Sequence, residues 1–232
     1  MSGPAPLVVP AVGRHTATVI FSHGLGDSCA GWIDVVRNWR LRSKMSEIKF
    51  VLPNAPTIPI TCNGGYRMPG WFDIVTLNGT LESLTRDEDE KGMLATRTYL
   101  EGLIKQEIDA GIPPGRILIG GFSQGAAMAL LTGLTGQYRL GGIVALSSWL
   151  VLSGMFKDIL RTENVTTPVF MGHGSEDPLI PPEFNDLSRD KLQEFGVQID
   201  HKSYPIGHSI SVEEIEDVSN FMEKTLMSSG TS

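Results

Sequence analysis

A serine between two glycines is the residue of this sequence best suited to nucleophilic chemistry. Ser123 stands in the pattern G-x-S-x-G at 121–125, after an aliphatic run and before a small-residue helical segment. The glycines leave room for a sharp strand-to-helix turn that exposes the hydroxyl, and the N-terminus of the following helix favours a developing oxyanion. The pattern predicts a serine nucleophile for acyl transfer, with an idle serine in a glycine-rich turn as the alternative.

A serine hydroxyl needs a histidine base, and the histidine needs a carboxylate that fixes its tautomer. After a strand-to-helix turn of this kind, called a nucleophile elbow, the acid precedes the histidine in the chain. His208 is the favoured base, because it follows the last predicted strand and precedes a helix opened by the capping-box pattern Ser211-Val212-Glu213-Glu214. His173 remains a second candidate, whereas His201 falls inside a predicted strand.

The predicted acid is Asp177, in the loop 174–181 that follows a clear strand. Pro178 disfavours helical conformation for the residue before it, so Asp177 is held extended. Glu176 is the rival carboxylate, and we expect it to face solvent.

Acyl transfer also needs two N–H donors for the oxyanion of the tetrahedral intermediate. One is expected from Gln124, the residue after the nucleophile, and the other from the loop after an early strand, where the amide of Leu25 is the best placed. His23 in the same loop lies in the wrong chain order for the base, so we expect it to stabilise the loop.

Short β-branched runs alternate with longer helical patterns, which predicts a mostly parallel sheet covered by helices on both faces. The predicted strands are Thr16–Ser22, Lys49–Leu52, Arg116–Gly120, Gly142–Leu146, Thr167–Met171 and Val197–Tyr204. The predicted helices are Ala30–Leu41, Glu88–Asp109, Gln124–Leu134, Pro182–Phe195 and Val212–Met227. Residues 53–77 interrupt the alternation with isolated prolines and glycines, and we expect a long loop that faces the substrate.

The 232 residues predict a single domain, with residues 1–15 as an N-terminal extension or edge strand and 228–232 as a flexible tail. A net charge of −7 gives no electrostatic basis for binding nucleic acid. The two cysteines, Cys29 and Cys62, suit neither a disulfide framework nor a metal site. Without a signal peptide or membrane span, we expect a cytoplasmic protein, present in the nucleus as a further location, with peripheral membrane contact at most.

Six blocks of sequence together resemble the acyl-protein thioesterase/lysophospholipase family of the α/β-hydrolase superfamily. They are SHGLGD at 22–27, MPGWFDI at 68–74, GFSQGAAMAL at 121–130, SSWL at 147–150, GHGSEDPLIP at 172–181 and the late His208. The resemblance implies an α/β-hydrolase fold without a separate cap domain. It also implies an acyl groove at Ile74, Leu77, Trp149 and Leu179.

The activity implied by the resemblance is hydrolysis of palmitoyl-type thioesters of proteins, and also of lysophospholipids or short esters. S-acylated proteins are then the substrates, Ser123, Asp177 and His208 the triad, and the amides of Leu25 and Gln124 the oxyanion donors. No cofactor or metal is implied. The alternatives are a small-ester carboxylesterase with a groove too short for fatty chains, and a catalytically silent lipid-binding protein of the same fold.

Overall fold

The computed structural model describes residues 4–41, 45–77 and 86–227. Within these ranges one sheet has the strand order β1-β3-β2-β6-β7-β8-β9, and a separate hairpin is formed by β4 and β5. The strands are β1 Leu7–Val9, β2 Ala17–Ser22, β3 Ile48–Leu52, β4 Thr57–Ile60, β5 Tyr66–Pro69, β6 Ile117–Phe122, β7 Gly142–Leu146, β8 Val169–Gly174 and β9 Ile199–Tyr204. All neighbours in the large sheet are parallel except β1, which pairs antiparallel with β3.

The α-helices connect these strands. They are α1 Ile33–Arg40, α2 Glu90–Asp109, α3 Gln124–Thr135, α4 Phe156–Ile159, α5 Pro182–Glu194 and α6 Val212–Met227. Each predicted helix is present, although the one predicted from Ala30 begins with a 3-10 turn at Cys29–Trp32. Throughout the described ranges, every helix is too short or too polar to span a bilayer.

The sheet is covered on both faces, which gives the doubly covered α/β architecture that the alternation predicted. The strands β2, β6, β7 and β8 are almost wholly buried, as expected for parallel strands between two layers of helices. One apolar layer contains α2 and α3, and the other contains α1 and α6. The carboxyl ends of β6, β8 and β9 therefore lie along one edge, the usual place for a site in such folds.

Two strand ends differ from the predictions in a way that bears on the site. The strand predicted at Arg116–Gly120 continues through both glycines to Phe122, and that predicted at Thr167–Met171 continues to Gly174. Glycine lowers the strand signal of a sequence, but in these buried strands it leaves room for close neighbours. The longer strands bring the residues that follow them closer to the sheet edge.

Part of the segment at 53–77, which we predicted as a long loop that faces the substrate, is regular, because β4 and β5 form an antiparallel hairpin within it. Gly64 and Gly65 have φ values of 65° and 78°, which allow the turn between the strands. Pro59 masks the strand pattern in the sequence, yet it is tolerated because a two-stranded ribbon has only edges. The predicted tail at 228–232 lies outside the described residues.

Candidate active site

Ser123 lies at a strained turn between β6 and α3. Its backbone has φ 53° and ψ −121°, and its N–H donates to the carbonyl oxygen of Leu146 at 2.8 Å. A non-glycine residue with positive φ is uncommon and typical of functional turns. Ser123 is 8% exposed and lies between the partly buried Phe122 and the fully buried Gln124.

The glycines of the G-x-S-x-G pattern are required by close backbone contacts. A Cβ atom on Gly121 would lie 2.5 Å from the carbonyl carbon of Gly125. A Cβ atom on Gly125 would lie 2.3 Å from the carbonyl oxygen of Ser22 and 2.5 Å from that of His23. The elbow and the loop after β2 are therefore packed backbone against backbone.

A hydrogen-bonded chain joins Ser123, His208 and Asp177. The Oγ atom of Ser123 lies 3.0 Å from Nε2 of His208, and Nδ1 of His208 lies 2.7 Å from Oδ2 of Asp177. Because an ionised carboxylate only accepts, Nδ1 carries the proton and Nε2 is free to accept from the serine hydroxyl. This arrangement can take a proton from the nucleophile during attack on a carbonyl.

Asp177 is buried and fully engaged. Its Oδ1 accepts hydrogen bonds from the backbone N–H groups of Leu179 and Ile180, both at 2.9 Å. Burial by itself raises the pKa of a carboxyl, but the hydrogen bonds from His208 and from the amides of Ile180 and Leu179 outweigh it and hold the pKa of Asp177 below its usual value. Asp177 therefore stays ionised and can orient the imidazole.

The rival acid and base occupy other positions. Glu176 is exposed, and its backbone N–H bonds to the carbonyl of Ile206. Nε2 of His173 donates to the carbonyl of Ile180 at 2.8 Å and lies 3.5 Å from Oδ2 of Asp177. Burial lowers the pKa of His173, so its neutral ring stabilises the loop that carries Asp177 through the bond to Ile180.

His201 is also away from the elbow. Its Nε2 lies 2.9 Å from Oδ1 of Asn185, and its Nδ1 lies 3.3 Å from the guanidinium of Arg189. This imidazole joins β9 to α5, which is a structural role.

The two amides predicted as oxyanion donors have no hydrogen-bond partner among the described residues. Gln124 begins α3, where the first N–H groups of a helix have no partner within it. Leu25 belongs to the loop after β2, and a Cβ atom on its neighbour Gly24 would lie 3.4 Å from Cβ of Ser123. The amide of Gln124, which follows the nucleophile in the chain, and the amide of Leu25, whose neighbour Gly24 lies beside Ser123, therefore remain the two candidate donors for a tetrahedral oxyanion.

His23 holds the loop after β2. Its Nδ1 donates to the carbonyl of Gly24 at 2.7 Å, while its Nε2 accepts the N–H of Ala55 at 3.1 Å. Burial lowers the pKa of His23, which favours the neutral ring that this pair of bonds needs. The expected role in stabilising the loop therefore agrees with the hydrogen bonds.

The four residues proposed for the acyl groove are brought together only in part. Ile74 and Trp149 are buried and line a cavity of about 10 Å³, which is room for one water at most. Leu179 is 44% exposed on the loop that carries Asp177, and Leu77 is partly buried and adjoins residues outside the described ranges. The other residues that line this cavity are Phe72, Asp73, Val75, Asp87, Glu88 and Met93.

Two further side chains at the site were missed by sequence reasoning. Trp71 and the side chain of Gln124 bond to the segments around the elbow, although the sequence indicated only the backbone of Gln124. Both residues belong to sequence blocks that resemble the family, but the spacing of residues in a sequence does not indicate which atoms their side chains contact. Across the described ranges, no group of three or more His, Cys, Asp or Glu residues could hold a metal ion.

Comparison with known proteins gives consistent matches over almost the whole chain. A family model described as phospholipase/carboxylesterase matches residues 4–226. Acyl-protein thioesterase 1 of Gibberella zeae is 54% identical over 225 residues and covers 96% of both chains. That of Neurospora crassa is 50% identical, covering 95% of this chain and 91% of its own.

Solved structures agree in fold. Arabidopsis thaliana SOBER1 superposes with a TM-score of 0.85 at 31% identity, covering 91% of this chain and 99% of its own. Zea mays acyl-protein thioesterase 2 superposes with a TM-score of 0.83 at 29% identity, covering 97% and 100%.

Proposed function

Because this chain belongs to the phospholipase/carboxylesterase family and has the α/β-hydrolase fold, we propose that it hydrolyses fatty-acyl thioesters of proteins through an acyl-enzyme on Ser123. The observation that carries this proposal is the hydrogen-bonded chain Ser123–His208–Asp177 at a strained turn. The names of its relatives, acyl-protein thioesterases in two fungi, support the choice of substrate.

The proposed reaction has two steps. In the first, Oγ of Ser123 attacks the thioester carbonyl and Nε2 of His208 takes the hydroxyl proton. The amides of Leu25 and Gln124 stabilise the oxyanion, the C–S bond breaks, and the thiolate receives the proton from His208. In the second step, water loses a proton to His208 and attacks the acyl-enzyme. The bond between the acyl carbon and Oγ of Ser123 breaks, His208 returns the proton to Oγ, and the fatty acid is released.

Asp177 contributes by keeping the imidazole in one tautomer and by stabilising the imidazolium formed in each step. An alkoxide leaves less readily than a thiolate and needs a proton as it departs. Because His208 can supply that proton, the same groups suit oxygen esters, including lysophospholipids, as well as thioesters. The proposed location is the cytoplasm, and the free state of Cys29 and Cys62 fits a reducing compartment.

A small-ester carboxylesterase is the second candidate, and one observation favours it. Phe72 and Trp149 meet edge to face with ring centroids 6.3 Å apart, and the cavity that they line with Ile74 is only about 10 Å³. A fatty chain would need these side chains to move. The acyl groove at Ile74, Leu77, Trp149 and Leu179 is therefore part of the proposal and needs its own test.

The activity is tested by measuring turnover of an S-palmitoyl peptide, lysophosphatidylcholine and a butyrate ester on one preparation. We expect the palmitoyl thioester to have the highest kcat/KM, and Ser123→Ala to abolish turnover and fluorophosphonate labelling while the melting temperature is retained. Turnover of butyrate alone would favour the carboxylesterase. Labelling that survives Ser123→Ala would refute the nucleophile.

The groove is tested with Leu179→Ser and Leu77→Ser on esters of increasing chain length. Each methylene buried in a groove contributes about 0.8 kcal/mol, so two carbons raise kcat/KM by up to about tenfold while the groove continues. Both variants should penalise long chains more than acetate, whereas Leu41→Ser, at a leucine that is 86% exposed at the end of α1, should not. An equal loss at every chain length would contradict the groove.

A further inference from the structure

The two proposed oxyanion donors come from chain segments that are distant in sequence and are joined by one residue, Trp71. Leu25 lies in the loop after β2, and Gln124 begins α3. Trp71 bonds to both segments: its indole Nε1 donates to the carbonyl of His23 at 2.7 Å, and its backbone N–H donates to Oε1 of Gln124 at 2.7 Å.

The bridge is tightly held on each side. Nε2 of Gln124 donates to the carbonyl of Phe72 at 2.7 Å, so the fully buried side-chain amide of Gln124 bonds to the backbone of two successive residues, Trp71 and Phe72. The hydroxyl of Thr96 on α2 donates to the carbonyl of Trp71. Because Trp71 is only 1% exposed and its ring lies 5.2 Å from that of His23, the indole has little freedom to rotate.

Resting on the proposed function, we infer that Trp71 is a positioning residue for the oxyanion hole, holding the Leu25 amide and the Gln124 amide at a fixed separation. An oxyanion is stabilised only by donors about 2.7–3.1 Å from its final position, and losing one donor costs about 10²–10³-fold in kcat. A small shift of the loop after β2 is expected to cost a part of that factor.

Ordinary core packing is the competing explanation for Trp71, and it makes a different prediction. A residue that only packs changes stability, and with it the amount of active enzyme. A residue that positions the donors changes binding of the tetrahedral transition state and leaves binding of the planar substrate nearly unaltered. The two explanations therefore differ in the kinetic constant that each affects.

The test uses Trp71→Phe, which keeps an aromatic ring and removes the indole N–H. On a butyrate ester we expect kcat to fall about 10- to 100-fold with KM changed less than about threefold. The affinity for a trifluoromethyl ketone, which forms a tetrahedral adduct with the serine, should fall by the same factor as kcat/KM. Gln124→Met, which keeps the backbone amide and removes the side-chain bonds, should behave in the same way.

Trp39→Phe is the matched control. The Nε1 atom of Trp39 donates to the carbonyl of Ile215 at 3.1 Å, and Trp39 is equally buried in the apolar layer that contains α1 and α6. This variant loses the same kind of bond, so it should lower the melting temperature by a similar amount while kcat and ketone affinity stay within about twofold.

Every outcome is informative. If Trp71→Phe matches Trp39→Phe in kcat and in ketone affinity, or if KM alone changes, the positioning role is refuted. If Trp71→Phe does not fold, Gln124→Met decides by the same criteria. A wild-type protein that hydrolyses the butyrate ester but no thioester would refute the proposed substrate and leave this inference standing, because the ester reports on the same oxyanion hole.

Discussion

Glu214 is a buried carboxyl whose protonation should govern how the stability of the protein depends on pH. It lies on the first turn of α6, is 0% exposed, and neither of its oxygens accepts a hydrogen bond of ordinary geometry from the described residues. A Cβ atom on Gly172 of β8 would lie 2.4 Å from its Oε1, so the carboxyl is pressed against the sheet. We expect Glu214→Gln to remove a large part of the pH dependence of unfolding.

The magnitude follows from the pKa. Burial, opposed by the backbone of Ser211 and reinforced by the charge of Asp217, raises the pKa of Glu214 from 4.5 to about 8. The folded state therefore holds the proton more tightly than the unfolded state, so the stabilisation is complete below about pH 4.5 and is lost as the pH rises to about 8. At 1.36 kcal/mol for each pKa unit, the whole shift corresponds to about 5 kcal/mol at most.

The assay is urea unfolding at a series of pH values from about 4.5 to 9, repeated for wild type, Glu214→Gln and Glu213→Gln. Glu213 is the matched control because it is exposed and adjacent. Other groups also titrate in this range, since burial raises the pKa of Glu88 to about 7 and lowers the pKa of His23. The decisive quantity is consequently the difference between each variant and the wild type.

We expect the unfolding free energy of wild type to fall relative to Glu214→Gln by several kcal/mol across this range, and to run parallel to that of Glu213→Gln. Parallel curves for wild type and Glu214→Gln would refute the reasoning, because they would mean that the carboxyl is as easily ionised in the folded protein as in the unfolded chain.

Two more predictions concern the candidate triad and the turn that carries Ser123. Asp177→Asn should lower kcat by up to about 10⁴-fold, the size of the equivalent change in a serine protease, because asparagine favours the wrong tautomer of His208. Glu176→Gln should keep a kcat near that of wild type in the same ester assay. If Glu176→Gln were the more damaging change, Asp177 would be refuted as the acid. Gly125→Ala should lower the unfolding free energy, measured with urea, by about 3 kcal/mol or more, since its Cβ atom would meet two carbonyl oxygens within 2.5 Å. Gly154→Ala, whose Cβ atom would have no atom within 4 Å, should change the unfolding free energy by less than about 0.5 kcal/mol. Equal losses in the two variants would contradict the steric argument.

The sequence predicted the sheet and the three residues of the hydrogen-bonded chain for one physical reason. Parallel strands that are buried on both faces appear in a sequence as continuous aliphatic runs, and the carboxyl ends of parallel strands lie at one edge of the sheet. Ser123 and Asp177 follow buried strands of this kind, and His208 follows the edge strand β9, which runs parallel to β8. Their order in the chain and their positions after strands were therefore enough to place them together.

Glu214 shows where sequence reasoning reached its limit. The pattern Ser211-Val212-Glu213-Glu214 predicted a capping box, and half of it forms, because Oγ of Ser211 accepts the N–H of Glu214 at 3.0 Å. In a capping box the glutamate would return the bond, but here the backbone of Ser211 only partly offsets the burial of the carboxyl, whose oxygens accept no hydrogen bond of ordinary geometry from the described residues. Glu214 lies four residues before Val218 and eight before Met222 on the buried face of α6, and this packing prevails over the local hydrogen bond.

The same limit explains why the bridge through Trp71 was not predicted, and it shows what the elbow motif depends on. Spacing indicates that glycines at 121 and 125 permit a tight turn, but not that Gly125 packs against the carbonyls of Ser22 and His23. That contact fixes the loop after β2 from one side, and the indole N–H of Trp71 holds the carbonyl of His23 from another. The carbonyl of His23 thus contacts both Gly125, next to the nucleophile turn, and the indole of Trp71. A change on either side of this carbonyl should therefore disturb both the nucleophile and the loop that bears Leu25.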